Sequence, residues 1–299
     1  MIQKMKNKAL SLGKGNKAWD ASVRLVKKRP MVDVHLQDGR ILSGKRGLEV
    51  GKFLQSLPEV DNPLIVGAIV NGELRELTFP IEMEAMVRPV TMADADGARI
   101  YRRSLAFLLV AVYEELFPGS TVSVDHSVAS GGFFCSVSGR DQLTPEELNQ
   151  LENSMRKIVA LDLPFGKAQV PLDEVVAYFK EKGLDDKVKL MKYRSKPNLV
   201  LYTLKGHRDY YHGYMVPSTG FLKWFGIIPL ENGFILQYPR RHIPWELQPL
   251  PETRKLLQTF LQYGNWLNRL GIDNVGCLND AIQDNRIREV ILVSEALHE

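Results

Sequence analysis

The strongest constraint on this chain is a pair of turn dipeptides, Asp38-Gly39 and Asn71-Gly72, each set between short apolar runs. Asp-Gly and Asn-Gly tolerate the positive φ that a tight hairpin needs, so each predicts two antiparallel strands. Before the first turn, Val32, Val34 and Leu36 alternate with Asp33, His35 and Gln37, and Arg40-Ile41-Leu42 comes after it. Such alternation buries one face of a strand and wets the other. Between the hairpins, Val50, Phe53, Leu54 and Leu57 share one face of a short helix that Pro58 ends. The second hairpin runs over residues 64–70 and 73–77. Strand, strand, helix, strand, strand is a β-grasp pattern, and it predicts a domain over residues 30–92.

After a polar connector at 91–97, Leu105, Leu108, Leu109, Val112 and Leu116 recur at helical spacing, predicting a helix over 100–116 with one buried stripe. Pro118-Gly119 stops it. Strands are expected at 121–125 and 132–136, with a polar turn at 127–131. Thr144-Pro145-Glu146-Glu147 is a helix start, with threonine as cap, proline at the first helical position and acids in the first turn. Further helices are expected at 172–182 and 252–270, and further strands at 199–203 and 234–236. The fold class is α+β: a basic arm at 1–29, the β-grasp domain at 30–92, a second domain at 97–240 and a helical extension at 241–299.

Composition narrows the function classes. With 44% hydrophobic and 25% charged residues, the 299-residue chain suits two or three soluble domains and has no apolar run long enough to cross a bilayer. The first thirty residues lack the apolar block of a secretory signal, so a cytoplasmic protein without a membrane partner is expected. Cys135 and Cys277 form no C-x-x-C pair and read as small buried thiols. Lys4, Lys6, Lys8, Lys14, Lys17, Arg24, Lys27, Lys28 and Arg29 against Asp20 alone give residues 1–29 a charge of +8, leaving −4 for the rest. Such an arm suits phosphate contact, and it is equally the composition of a solvated leader.

Apparent catalytic motifs fail on their chemistry. Gly39-Arg-Ile-Leu-Ser-Gly44-Lys45 begins like a phosphate-binding loop, but Arg46 stands where a hydroxyl must reach magnesium, and the segment lies in a hairpin. His207-Arg208-Asp209 resembles a protein-kinase catalytic loop, yet Tyr214 replaces its metal-binding asparagine. Gly13-Lys14-Gly15 has no preceding strand. The six histidines show no metal spacing beyond His207 and His212, which diverge on a strand, and neither Ser130 nor Cys135 has a nucleophile's setting. Glu114 and Glu115 read as the solvated side of their helix. The richest stretch is 205–241, where His207, Arg208, Tyr210, Tyr211, His212, Tyr214, Lys223, Trp224, Tyr238, Arg240 and Arg241 interleave cations with aromatics. That composition suits a nucleotide or an RNA end, and it equally suits a β-rich core with a basic rim.

The β-grasp segment, with its phrase Val70-Asn71-Gly72-Glu73-Leu74, resembles a TGS domain, the ubiquitin-like module at the front of threonyl-tRNA synthetases. The domain after it is similar to the second domain of those enzymes: Arg103-Ser-Leu-Ala-Phe107 sits where that family has H-x-x-x-H. Asp125-His126-Ser127 and Gly132-Phe133-Phe134-Cys135 resemble its next hairpin. The resemblance puts Arg103, Phe107, Tyr211 and Met215 at the four zinc-ligand places. Guanidinium, phenyl, phenol and a lone thioether are not a zinc set, so metal-assisted editing of mischarged tRNA is expected to be lost. The segment Asp209-Tyr-Tyr-His-Gly-Tyr-Met-Val-Pro-Ser-Thr-Gly220 and the ending Ile291-Leu-Val-Ser-Glu-Ala-Leu-His298 resemble a bacterial uridine kinase-like family, which carries the same two domains ahead of its kinase domain.

The resemblance thus implies a non-catalytic front half of a nucleoside kinase, a transferase whose catalytic domain would begin after this chain stops. No catalytic residue, metal site or cofactor is expected in this chain, and ATP and magnesium only if a kinase domain follows. Expected partners are that kinase domain in cis, a nucleotide or tRNA, and a second subunit. The alternative is a stand-alone RNA-binding module that recognises a tRNA acceptor end. Candidate binding residues are Arg103, His126, Arg208, Tyr211, His212, Lys223, Arg240 and Arg241.

Overall fold

Val32, Val34 and Leu36 are almost wholly buried, as their alternation requires. The structure, a computed structural model, describes residues 27–58, 63–128, 131–230, 232–249, 264 and 266–296. The basic arm up to residue 26 and most of the expected 252–270 helix lie outside the described residues, although 266–269 are helical. At the end of the arm, Lys28 and Arg29 meet Glu82 and Glu84 at 3.5 and 3.4 Å.

Strands β1 (Met31–Leu36) and β2 (Ile41–Lys45) form the first hairpin, and β3 (Ile65–Val70) and β4 (Glu73–Arg75) the second. Asn71 and Gly72 both have positive φ, 50° and 86°, and close a two-residue turn. The first turn is different. Only Gly39 is left-handed, and the Leu36 amide donates to the Arg40 carbonyl at 2.8 Å, so three residues make the loop. A fifth strand, β5 (Ala85–Thr91), lies between β1 and β3, parallel to β1, and gives the order β2-β1-β5-β3-β4. The expected connector at 91–97 is therefore the end of a central strand and the start of a helix. Arg88 and Pro89 disguised that strand, since proline donates no ladder hydrogen bond. The short helix α1 (Val50–Leu54) closes this core with Val50, Phe53 and Leu54.

Helix α2 (Ala95–Leu116) runs from the β-grasp domain into the second core, burying Ile100, Leu105, Phe107, Leu108, Leu109 and Val112. Two antiparallel sheets complete that domain. One has the order β11-β12-β7-β6, built from Gly226–Leu230, Gly233–Gln237, Gly132–Ser138 and Thr121–Val128. The other, β10-β9-β8, joins His207–Tyr210, Asn198–Leu204 and Gly166–Pro171. Helix α3 (Pro145–Ala160) starts at the expected Thr144 cap, whose hydroxyl accepts from the Glu147 amide while the Glu147 carboxylate accepts from the Thr144 amide. Helices α4 (Leu172–Glu181) and α5 (Asp185–Lys192) cover the three-stranded sheet.

A helical C-terminal extension comes next, with α6 (Val275–Gln283) packed on α5 and α7 (Ile287–Ala296) on α6. Cys135 is a buried thiol, as expected; Cys277 is not, being half-exposed on α6 with Sγ 3.5 Å from Lys189 Nζ. The whole is α+β: a ubiquitin-like β-grasp domain, a second α+β domain and a helical extension. No helix among the described residues is long and apolar enough to cross a membrane.

Candidate functional site

Arg99, Arg102 and Arg103 lie at i, i+3 and i+4 on α2, the spacing that puts three side chains on one helix face. They wall a cleft of about 780 Å³ in the second domain. Strand β6 supplies its other side from Thr121 to Asp125, and Lys187, Asp209, Tyr210 and Tyr211 line it as well. Arg99 pairs with Asp96 at 2.7 Å, and the Arg102 guanidinium lies over the Tyr238 ring at 5.3 Å.

Arg103 is half-buried, and its Nη1 donates to the Tyr214 carbonyl at 2.5 Å. The turn fits around it because residue 213 is glycine: a Cβ there would sit 2.7 Å from the guanidinium carbon, and φ is +106°. Burial, reinforced by the fields of Arg102 and Arg99, lowers the Arg103 pKa against the opposing pull of Tyr202 and Glu76. One helical turn on, the Phe107 ring meets Tyr211 edge-on at 5.4 Å and His207 at 5.1 Å, while Met215 is buried in the same core. Burial pushes the Tyr211 phenol far above its ordinary value.

Of the four places that the resemblance assigns to zinc ligands, Arg103 and Tyr211 line one cleft, Phe107 packs on Tyr211, and Met215 is buried in the same core; their side chains do not fit the metal. The guanidinium stays protonated, phenyl has no donor atom, the phenol is held neutral and the thioether is a weak ligand. Among the described residues no group of three His, Cys, Asp or Glu is placed to hold a metal ion.

Five carboxylates line this cleft, Glu114, Asp125, Asp186, Asp209 and Asp273, and two of them are paired. Asp209, buried, takes Lys187 at 2.7 Å, and Glu114 takes His207 Nδ1 at 2.8 Å. Glu114, its side chain 39% exposed, is both solvated and paired, and Glu115 is exposed and pairs with Lys205. Although burial raises the Glu114 pKa, His207 and two lysines outweigh it and lower the net value. Burial raises that of Asp125.

A second carboxylate arrives from the other domain. Glu76, buried beyond the end of β4, accepts from Lys167 Nζ at 2.6 Å, from the Tyr202 hydroxyl and from the Met215 amide at 3.4 Å. Tyr202 also donates to the Gly213 carbonyl at 3.2 Å. The turn at 213–215 is thereby held by Arg103 from α2 and by Glu76 from the β-grasp domain.

Of the eight candidate residues, the structure brings Arg103 and Tyr211 into the cleft. His126 packs on Phe134 at 5.2 Å, beside a bulge in β6, and burial lowers its pKa. Arg208 is exposed on β10 and His212 on the turn after it. Lys223 lines a separate hollow of about 520 Å³ with Lys52 and Phe221, where the two domains meet. Arg240 lies against Gly131, and Arg241 is exposed next to it. The stretch 205–241 is not one platform, because β10 and β11-β12 belong to different sheets. Its aromatics serve the core: Tyr238 is 5% exposed, and the Trp224 backbone is bonded on both sides by the Tyr101 hydroxyl. Sequence reasoning missed Arg99 and Arg102, whose spacing was a usable signal, and Lys187, Asp125 and Glu76, which gave none.

A β-grasp domain docked on an α+β domain that carries an arginine-walled cleft defines the class of protein. The sequence places it more closely. It is 30% identical over 205 residues to the threonine–tRNA ligase of Burkholderia lata, covering 68% of this chain and 32% of that protein. It is 34% identical over 170 residues to the threonine–tRNA ligase of Polaromonas naphthalenivorans, covering 56% and 27%. The chain thus spans about a third of the length of the curated relatives it matches. No family profile matches it. The similarity supports the threonyl-tRNA synthetase-like part of the resemblance, a TGS domain followed by that family's type of second domain.

Proposed function

We propose that this region is a tRNA-binding module that engages an acceptor end through the α2 cleft and the basic arm. What carries the reading is the match to threonine–tRNA ligases over two-thirds of the chain, joined to a cleft walled by Arg99, Arg102 and Arg103. Guanidinium groups and aromatic rings take phosphate and base without catalysing hydrolysis, so the module holds its RNA and leaves it intact. The arm adds up to nine cations that steer phosphate.

The test is binding of tRNA across a salt series. Affinity falls steeply with salt, since each phosphate neutralised contributes about 0.9 to the log–log slope on a duplex. Deleting residues 1–29 lowers that slope by several units. No binding at low salt overturns the reading.

A second reading rests on the 209–220 and 291–298 segments, whose resemblance is to a uridine kinase-like family. Under it this region is the accessory part of an ATP-dependent nucleoside kinase, in contact with its kinase domain and a second subunit. The gene beyond the codon for Glu299 decides it: a strand followed by G-x-x-x-x-G-K-[ST] supports the kinase, and its absence removes it.

A further inference from the structure

Helix α7 (Ile287–Ala296) buries Val290 with Ile272 and Ala281 and leaves its opposite face uncovered. On that face Ile291 and Leu292 are 49% and 66% exposed. Arg288, three residues before Ile291, and Glu295, three residues after Leu292, flank them and are exposed as well. The spacing 288, 291, 292 and 295 makes one stripe over two helical turns. Its charges are set against their own helix: the arginine stands in the first turn, where the helix dipole favours an anion, and the glutamate in the last, where it favours a cation. Neither has an ion-pair partner among the described residues, whereas Arg286 and Glu289 beside them pair with each other at 3.3 Å. Within one copy Arg288 and Glu295 cannot meet, since seven residues at 1.5 Å each separate them by about 10 Å along the axis.

We infer that this stripe joins two copies of the chain, α7 against α7, antiparallel about a two-fold axis. The stripe is its own complement. Turned end for end, it sets Ile291 against Leu292 of the second copy and Arg288 against Glu295 of the second copy, so one face supplies both halves of an isologous contact. Each charge then lies beside an opposite charge and beside the favourable end of the second helix's dipole. Two turns of helix bury less than a standard interface, so the dimer is a weak one that forms in the micromolar range. The inference holds whatever the α2 cleft receives.

Sedimentation of the full chain over a concentration series tests it. The parent is expected to pass from monomer to dimer, and Leu292→Asp to weaken the dimer about a hundredfold, because a two-fold axis counts each substitution twice. Met83→Asp, at a methionine 66% exposed in the β-grasp domain, leaves the dimer unchanged. Arg288→Glu and Glu295→Arg are the decisive variants. Each alone sets like charges together at both ends of the contact and loses about tenfold. Mixed in equal amounts, they form a heterodimer in which both pairs are opposite again, with about the parent's affinity. Since both side chains are exposed and unpaired with described residues, the variants keep the fold, and recovery in the mixture shows it directly. A parent that stays monomeric, equal losses in Met83→Asp and Leu292→Asp, or a mixture no tighter than either charge variant alone overturns the inference. The first result leaves the stripe to a different protein or domain, and the other two place the contact between copies elsewhere.

Discussion

Replacing Glu76 with alanine is expected to cost about 3 kcal/mol of stability and to loosen the β-grasp domain from the second domain. The carboxylate is buried, and its three described donors, Lys167, Tyr202 and Met215, all belong to the second domain. Their fates on its removal differ. Lys167 is 39% exposed and turns to water, while Tyr202 still has the Gly213 carbonyl. The Met215 amide is left buried without an acceptor, which alone costs about 1–3 kcal/mol. Glu76→Gln keeps the shape and one acceptor oxygen, so it should lose about half as much. Urea unfolding measures both, and hydrogen exchange shows where the loss falls. Faster exchange at residues 213–216 of the other domain is the expected signature, and an unfolding midpoint equal to the parent's would contradict it. Since the same turn holds Arg103, Glu76→Ala should also weaken whatever the cleft binds.

Gly97→Ala is expected to cost about 2–3 kcal/mol, although alanine is the better helix former by about 1 kcal/mol. Gly97 lies in the first turn of α2, and a Cβ there would sit 1.9 Å from the Thr91 carbonyl oxygen and 3.1 Å from a Val66 methyl. Backbone cannot step aside as the tip of a side chain can. The Thr91 carbonyl already accepts from the Asp94 amide at 3.0 Å, and Asp94 in turn accepts from the Thr91 amide at 2.8 Å. To fit a methyl group, α2 must lift from β5, and Ile100 must leave its place over Gly67. Steric cost therefore exceeds propensity gain. Thermal or urea unfolding decides the sign: a more stable Gly97→Ala protein would show that the contact between α2 and the β-grasp domain is loose enough to admit a methyl group.

The parts of the fold that could be read from sequence were those fixed by neighbours in the chain. Asn71-Gly72 demands a tight turn wherever it occurs, and Thr144-Pro145 with Glu147 three residues after the threonine demands a helix start. Strand β5 was missed because its partners lie about fifty and about twenty residues away, and Arg88 and Pro89 break its apolar run. The same holds for the cleft. Arg103 is found through the H-x-x-x-H register of a family resemblance and Tyr211 through a ligand place that the same resemblance assigns in a second segment, and Arg99 and Arg102 follow from helical spacing once Arg103 is suspected. Lys187, Asp125 and Glu76 come from other elements, and only folding brings them near. The interleaved aromatics of 205–241 misled because a stacking platform and a hydrophobic core draw on the same residues, and the sheets put most of them in the core.

The most direct measurement compares binding of the full chain to an intact tRNA and to the same tRNA trimmed of its single-stranded 3′ end. If these two domains hold the acceptor end, trimming weakens binding about tenfold or more, since each stacked base contributes roughly 1–3 kcal/mol. Equal affinity for the two RNAs would mean that the acceptor end is not what the cleft receives.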